Sequence, residues 1–135
     1  MTQPPVEEAY IIFVEDDPNS YLVLEALLKH AGFRHFYHRS NGSKLFPLVE
    51  LLPQIDLILL DINLPGEDGF SLLAKLREHP KTANAHIAAL TANIVHRDRQ
   101  QPRVLGFDSF ISKPIRPDAL CDQVRKMLRG ETIWW

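Results

Sequence analysis

Cysteine is almost missing from this chain of 135 residues: Cys121 stands alone, so no internal disulfide can form. Its place on a predicted helix suits a small packing residue in a reducing compartment. An excess of one charge is missing too. A formal net charge of −2 supplies no positive field for nucleic-acid backbones or anionic membranes, so the expected partner is protein and not nucleic acid. No apolar run approaches the roughly 20 residues that cross a bilayer. The polar start, Met1 to Glu8, lacks the basic and apolar regions of a signal peptide. No membrane insertion and a cytoplasmic location are therefore expected. Internal repeats and low-complexity stretches are absent. The six histidines form no His-Glu-x-x-His or close Cys/His set, which leaves them as surface or packing residues rather than zinc ligands.

What is present is 45% hydrophobic content, enough for one globular domain with a core of its own. Its pattern switches between short apolar runs and helical spacing. Tyr10-Ile11-Ile12-Phe13-Val14 reads as a strand buried on both faces. Asp17-Pro18 then supplies an N-cap and a first-turn proline, followed by Leu24, Leu27, Leu28 and Ala31 at helical spacing and Gly32 as the stop. A weaker strand at 35–38 precedes a helix over 44–52, with Pro47 placed in or near its first turn. Residues 55–60 read as the most buried strand, delivering Asp61 at its end. After Pro65-Gly66, Phe70, Leu73, Ala74 and Leu76 predict a third helix that stops before Pro80. A small-residue strand over His86–Thr91, a helix over 94–105 and a short strand over Ser109–Ser112 come next. The last helix opens at Pro117 or Asp118 and buries Leu120, Val124, Met127 and Leu128. Five strands alternating with five helices imply a parallel α/β sheet covered on both faces.

Ligands of such sheets bind beyond the carboxyl ends of the strands. Those ends carry Glu15-Asp16-Asp17, Asp61, Thr91 and Lys113. Carboxylates crowded there either raise a pKa or hold a cation, and oxygen-only donors favour a hard ion, Mg²⁺ best. Asp17 before Pro18 is assigned to helix capping instead. With the ion in place, Asp61 is the candidate nucleophile for in-line phosphoryl transfer. Lys113 and the Thr91 hydroxyl are the candidate contacts for phosphoryl oxygens.

With these residues in view, the chain resembles the response-regulator receiver family (CheY-like) over nearly its whole length. The resemblance is carried by Ile12-Phe13-Val14-Glu15-Asp16-Asp17, by Leu59-Leu60-Asp61-Ile62-Asn63-Leu64-Pro65-Gly66-Glu67-Asp68-Gly69, by Ala89-Leu90-Thr91-Ala92 and by Phe110-Ile111-Ser112-Lys113-Pro114-Ile115. It implies a flavodoxin-like sheet in the order 2-1-3-4-5. It also implies Mg²⁺ held by Glu15, Asp16, Asp61 and the Asn63 backbone carbonyl, and a cis peptide at Lys113-Pro114. Glu15 stands where many relatives carry aspartate. The resemblance further implies a phosphoryl donor that is a histidine kinase or histidine phosphotransfer protein, and a downstream protein target. Catalysis would be confined to the chain's own phosphorylation and dephosphorylation, with Asn63 and Asn93 flanking the path of water.

Thr91 and Phe110 correspond to the family's switch pair, so Phe110 either turns outward as an apolar ring or stays buried beside the fifth strand. Pro102 falls inside the predicted helix over 94–105, where a proline costs about 3 kcal/mol, so that helix is expected to be short, kinked or mobile, with a specialised recognition surface near it. The expected division is an extension over 1–8, the domain over 9–130 and a tail over 131–135. With no output domain after the last helix, the domain would act through other proteins. Trp134 and Trp135 would contact a partner, pack on the domain itself or remain disordered. Two alternatives stay open. A phosphatase of the haloacid-dehalogenase type also uses Asp, Lys and Mg²⁺, but places its nucleophile after the first strand with a second Asp two residues on. A receiver-like binding module that is never phosphorylated is the other.

Overall fold

A computed structural model describes residues 5–62, 64, 66, 68–91, 106–113 and 115–133. A 3₁₀ turn, Val6–Glu8, leads into β1 (Tyr10–Val14), α1 (Pro18–His30), β2 (His35–Arg39), α2 (Gly42–Leu51), β3 (Leu57–Asp61) and α3 (Gly69–Glu78). Then follow β4 (His86–Thr91), β5 (Ser109–Ser112) and α4 (Leu120–Leu128). The strands form one parallel sheet in the order β2-β1-β3-β4-β5. The helix expected over 94–105, with Asn93 and Pro102, lies outside the described residues. So do Asn63, Pro114, Trp134 and Trp135.

Strand alternation divides the apolar residues between two cores. Ile12, Val14, Ile58, Leu60 and Ala89 face α2 and α3, where Leu45, Val49, Leu73 and Leu76 meet them. Ile11, Phe13, Leu57, Leu59 and Leu90 face α1 and α4, against Leu24, Leu28, Leu120, Val124 and Met127. All five residues of β3 are buried. At about 1.5–3 kcal/mol for each large apolar side chain taken out of water, these central strands are the main anchor of the fold. They also hold fixed whatever follows their carboxyl ends.

The helix boundaries show local chemistry deciding where elements begin. Asp17 accepts from Asn19 N–H at 3.0 Å with Pro18 in the first turn, and Gly32 follows the helix with φ 98°, as expected. Helix α2 begins two residues earlier than the sequence pattern predicts, because Asn41 caps it by accepting from Lys44 N–H at 3.0 Å. Pro47 therefore lies within the helix rather than in its first turn, and one intrahelical hydrogen bond is forgone there. The predicted strand over 55–60 also shifts. Asp56 stays outside β3, its carboxylate accepting from Tyr10 N–H at 2.8 Å and its own N–H donating to the Tyr10 carbonyl at 2.9 Å. Helix α4 starts at Leu120 rather than at Pro117 or Asp118. Asp118 pairs with Arg116 at 3.1 Å instead of capping, and residues 117–119 form a turn.

Candidate functional site

Strands β1 and β3 are neighbours, with Val14 opposite Leu60, so the residues that leave them emerge side by side. Glu15, Asp16 and Asp61 thereby bring carboxylate oxygens within 4.8 Å of one another, with Glu15 and Asp61 buried and Asp16 exposed. Backbone contacts hold this exit in place. Glu15 N–H donates to the Arg39 carbonyl at 3.1 Å, and His38 Nε2 meets the Glu15 carbonyl at 2.5 Å while its ring stacks on Tyr21. His38 carries no motif, and only its position on a strand beside β1 could have marked it in advance.

From the other side of the sheet come Thr91 and Lys113. Thr91 ends β4, buried, and its carbonyl accepts the Lys113 N–H at 2.8 Å. The Lys113 ammonium reaches back over β4 to Asp61 Oδ2 at 2.8 Å and forms an ion pair with Glu15 Oε2. Thus four of the expected residues, Glu15, Asp16, Asp61 and Lys113, share one locus, with Thr91 at its border. Phe110 is buried among the apolar residues on the α2 and α3 side, which corresponds to the inward of its two expected positions. Asp17 is committed to capping α1, also accepting from the Ser20 hydroxyl at 3.3 Å.

The loop after Asp61 is tied to α3 through backbone contact. Asp68 caps that helix by accepting from Phe70 N–H at 3.0 Å. A Cβ at Gly69 would lie 2.5 Å from Ile62 Cα, so only glycine fits there.

Charge is unbalanced at this locus. Three carboxylates face one ammonium among the described residues, leaving two negative charges, the amount that a divalent cation neutralises. Burial raises the Glu15 pKa above its ordinary value; the Lys113 ammonium opposes that rise and the Asp61 charge adds to it. Burial also works against the Lys113 charge, yet contact with Asp61 and Glu15 outweighs it and raises that pKa. Glu15 Oε2 is fully buried and pairs with Lys113, and since a carboxylate oxygen carries two lone pairs it keeps capacity for a metal beside that ammonium. An all-oxygen set with one exposed member fits a hard ion that retains water, as Mg²⁺ does.

Beside Lys113 a cavity of about 340 Å³ opens toward α1, lined mainly by apolar groups that include Val23, Leu24, Ile115 and Pro117. Leu22 and Val23 on the same helix are 60% and 48% exposed.

Comparison with known proteins converges on one family. The model of the response regulator receiver domain matches residues 11–125. The transcriptional regulatory protein BaeR of Escherichia coli is 34% identical over 96% of this chain and 52% of its own length. GltR of Pseudomonas aeruginosa, another transcriptional regulatory protein, is 35% identical over 88% of this chain and 48% of its own. The chain thus spans about half the length of these curated relatives. Among solved structures, the receiver domain of the sensor histidine kinase PA1611 from Pseudomonas aeruginosa superposes with a TM-score of 0.75, at 29% identity over 91% of this chain and 98% of that one. That structure holds a magnesium ion in its active-site cleft. None of these relatives supports the haloacid-dehalogenase alternative. A parallel sheet in the order 2-1-3-4-5 and a family match over most of the sequence give one conclusion: the chain belongs to the response-regulator receiver domains of two-component signal transduction.

Proposed function

We propose that Asp61 is the phosphoacceptor of this receiver and that Glu15, Asp16 and Asp61, with the Asn63 carbonyl, hold the Mg²⁺ it uses. The observation that carries this reading is the meeting of three carboxylates and the Lys113 ammonium at the carboxyl ends of the central strands. The donor is a phosphohistidine on a kinase or phosphotransfer protein. An Asp61 carboxylate oxygen forms the new bond to phosphorus while the phosphorus–nitrogen bond breaks, its electron pair returning to the donor imidazole. Bound Mg²⁺ supplies charge neutralisation for the transferring phosphoryl oxygens. Lys113 provides a fixed positive charge for another of those oxygens, and the Thr91 hydroxyl donates to the phosphorylated product. Burial of Asp61 restricts water around the acyl phosphate.

The output is a change in protein contacts, with Thr91 and Phe110 as the switch pair. The chain's catalysis is limited to gaining and losing its own phosphoryl group. Docking of the donor on this face of α1 is supported by Val23, which lines the cavity beside Lys113, and by its exposed neighbour Leu22. Incubation with Mg²⁺ and a small acyl phosphate, followed by mass spectrometry, is expected to show one phosphoryl adduct on Asp61. Absence of that adduct, or its survival in Asp61→Ala, would overturn the reading.

A further inference from the structure

Beyond α4 the chain turns back to the sheet. Gly130 permits the reversal with φ 86°, and Glu131 N–H donates to the Lys126 carbonyl at 3.0 Å. Ile133 then docks on β5. Its carbonyl accepts the Phe110 N–H at 2.7 Å, and its own N–H donates to the Ser109 hydroxyl at 2.9 Å. Ile133 is 7% exposed, in the same core as Ile111, Leu120, Val124 and Met127. Ser109, itself fully buried, lies 2.7 Å from His86 Nε2, which ties the attachment to β4 as well.

Strand β5 is four residues long and forms an edge of the sheet. Its first two residues are held by Ile133. The residue after its last is Lys113, bound through its N–H to Thr91 and through its ammonium to Asp61 and Glu15. A strand so short has no slack between its two ends. Whatever moves Ser109 and Phe110 along or away from β4 also moves the backbone from which Lys113 reaches the carboxylates.

We propose that Ile133 is a positioning residue for the acidic site: the segment 131–133 latches β5, and the latch is coupled through that strand to the contacts Lys113 makes. Coupling of this kind is reciprocal. Ligation of the carboxylates alters the latch, and release of the latch alters ligation. The inference concerns the same site as the phosphorylation reading, but its cation arm does not depend on Asp61 being phosphorylated.

The chain carries its own probe, since its two tryptophans, Trp134 and Trp135, directly follow Ile133. Titration of the full chain with Mg²⁺ is expected to change tryptophan anisotropy saturably, with the same midpoint as the change in the Phe110 amide resonance. Ser109→Ala and Ile133→Ala are expected to lower Phe110 amide protection about tenfold. The same two variants should shift the Mg²⁺ midpoint and the acyl-phosphate labelling rate by about threefold to tenfold, while Ile133→Val stays near the unmodified chain. Three results would each overturn the proposal. They are a Phe110 amide in the unmodified chain that exchanges like an exposed one, a tryptophan signal indifferent to Mg²⁺, and variants that free the amide while leaving the Mg²⁺ midpoint unchanged. If Ile133→Ala fails to fold, Ser109→Ala and the unmodified chain decide the matter. If Asp61 takes no phosphoryl group, that reading fails alone, and the Mg²⁺ titration still decides the latch.

Discussion

Lys113 holds two carboxylates that a metal would also use, so under the proposed function its charge would compete with the cation and assist the phosphoryl group. Lys113→Met should move the two functions in opposite directions. Mg²⁺ binding by calorimetry should tighten severalfold, while labelling of Asp61 by an acyl phosphate slows on the order of a hundredfold. Both quantities falling together would show that Lys113 supports the metal instead of competing with it. These residues were legible in the sequence because each directly follows an apolar run whose end is sharply marked. His86 was not, since nothing in a lone histidine signals burial. Its pKa is lowered, by burial first and by Arg77 in addition, with Asp108 opposing. The folded state therefore prefers neutral His86. Its stabilising contribution is complete above the unfolded value near 6.5 and is lost as pH falls from there through the folded value. Urea midpoints measured from about pH 7.5 down to about pH 5.5 should decline, and His86→Gln should flatten that decline.

Helix α1 turns one face to the core and leaves Leu22 and Val23 to solvent, with Val23 lining the cavity next to Lys113. Leu22→Glu and Val23→Glu should slow phosphoryl transfer from a phosphohistidine protein about tenfold or more, since buried apolar anchors dominate such contacts. Labelling by a small acyl phosphate should be unaffected. Equal slowing with both donors would place the defect in the site rather than in docking. Helix α2 depends on a residue far from it in sequence. Lys81 Nζ donates to the carbonyls of Val49, Glu50 and Leu52 at 3.1, 2.6 and 2.8 Å, meeting the groups left open at the end of the helix. Lys81→Met should lower the unfolding free energy by about 1–2 kcal/mol, read from chemical denaturation. The apolar pattern revealed the described α-helices and strands but not the 3₁₀ turn Val6–Glu8. It misplaced the start of α2 because Asn41 outcompetes the signal from Pro47, and the start of α4 because Asp118 turns to Arg116. A cap is settled by which side chain reaches which N–H, and spacing alone carries no information about that.

For the molecule as a whole, the alternation of elements announced a parallel sheet, but the strand order came only through family resemblance. Composition does not distinguish β1 beside β3 from β1 at an edge, though the site exists only in the first arrangement. Because the acidic cluster is built on the most buried strands, occupying it should stabilise the entire domain. Mg²⁺ at about a hundred times its dissociation constant should add about 2.7 kcal/mol to the unfolding free energy, and a chelator should remove it. A Mg²⁺-independent urea midpoint would contradict that linkage. The sheet order also has a consequence in time. Glu15, Asp16 and Asp61 have all left the ribosome before Lys113 is made. Early closure of β1 on β3 would gather three carboxylates without that ammonium, a repulsion of kcal/mol size. That repulsion should weaken the closed centre until β5 arrives, unless a divalent ion from the cell takes the place of the lysine first.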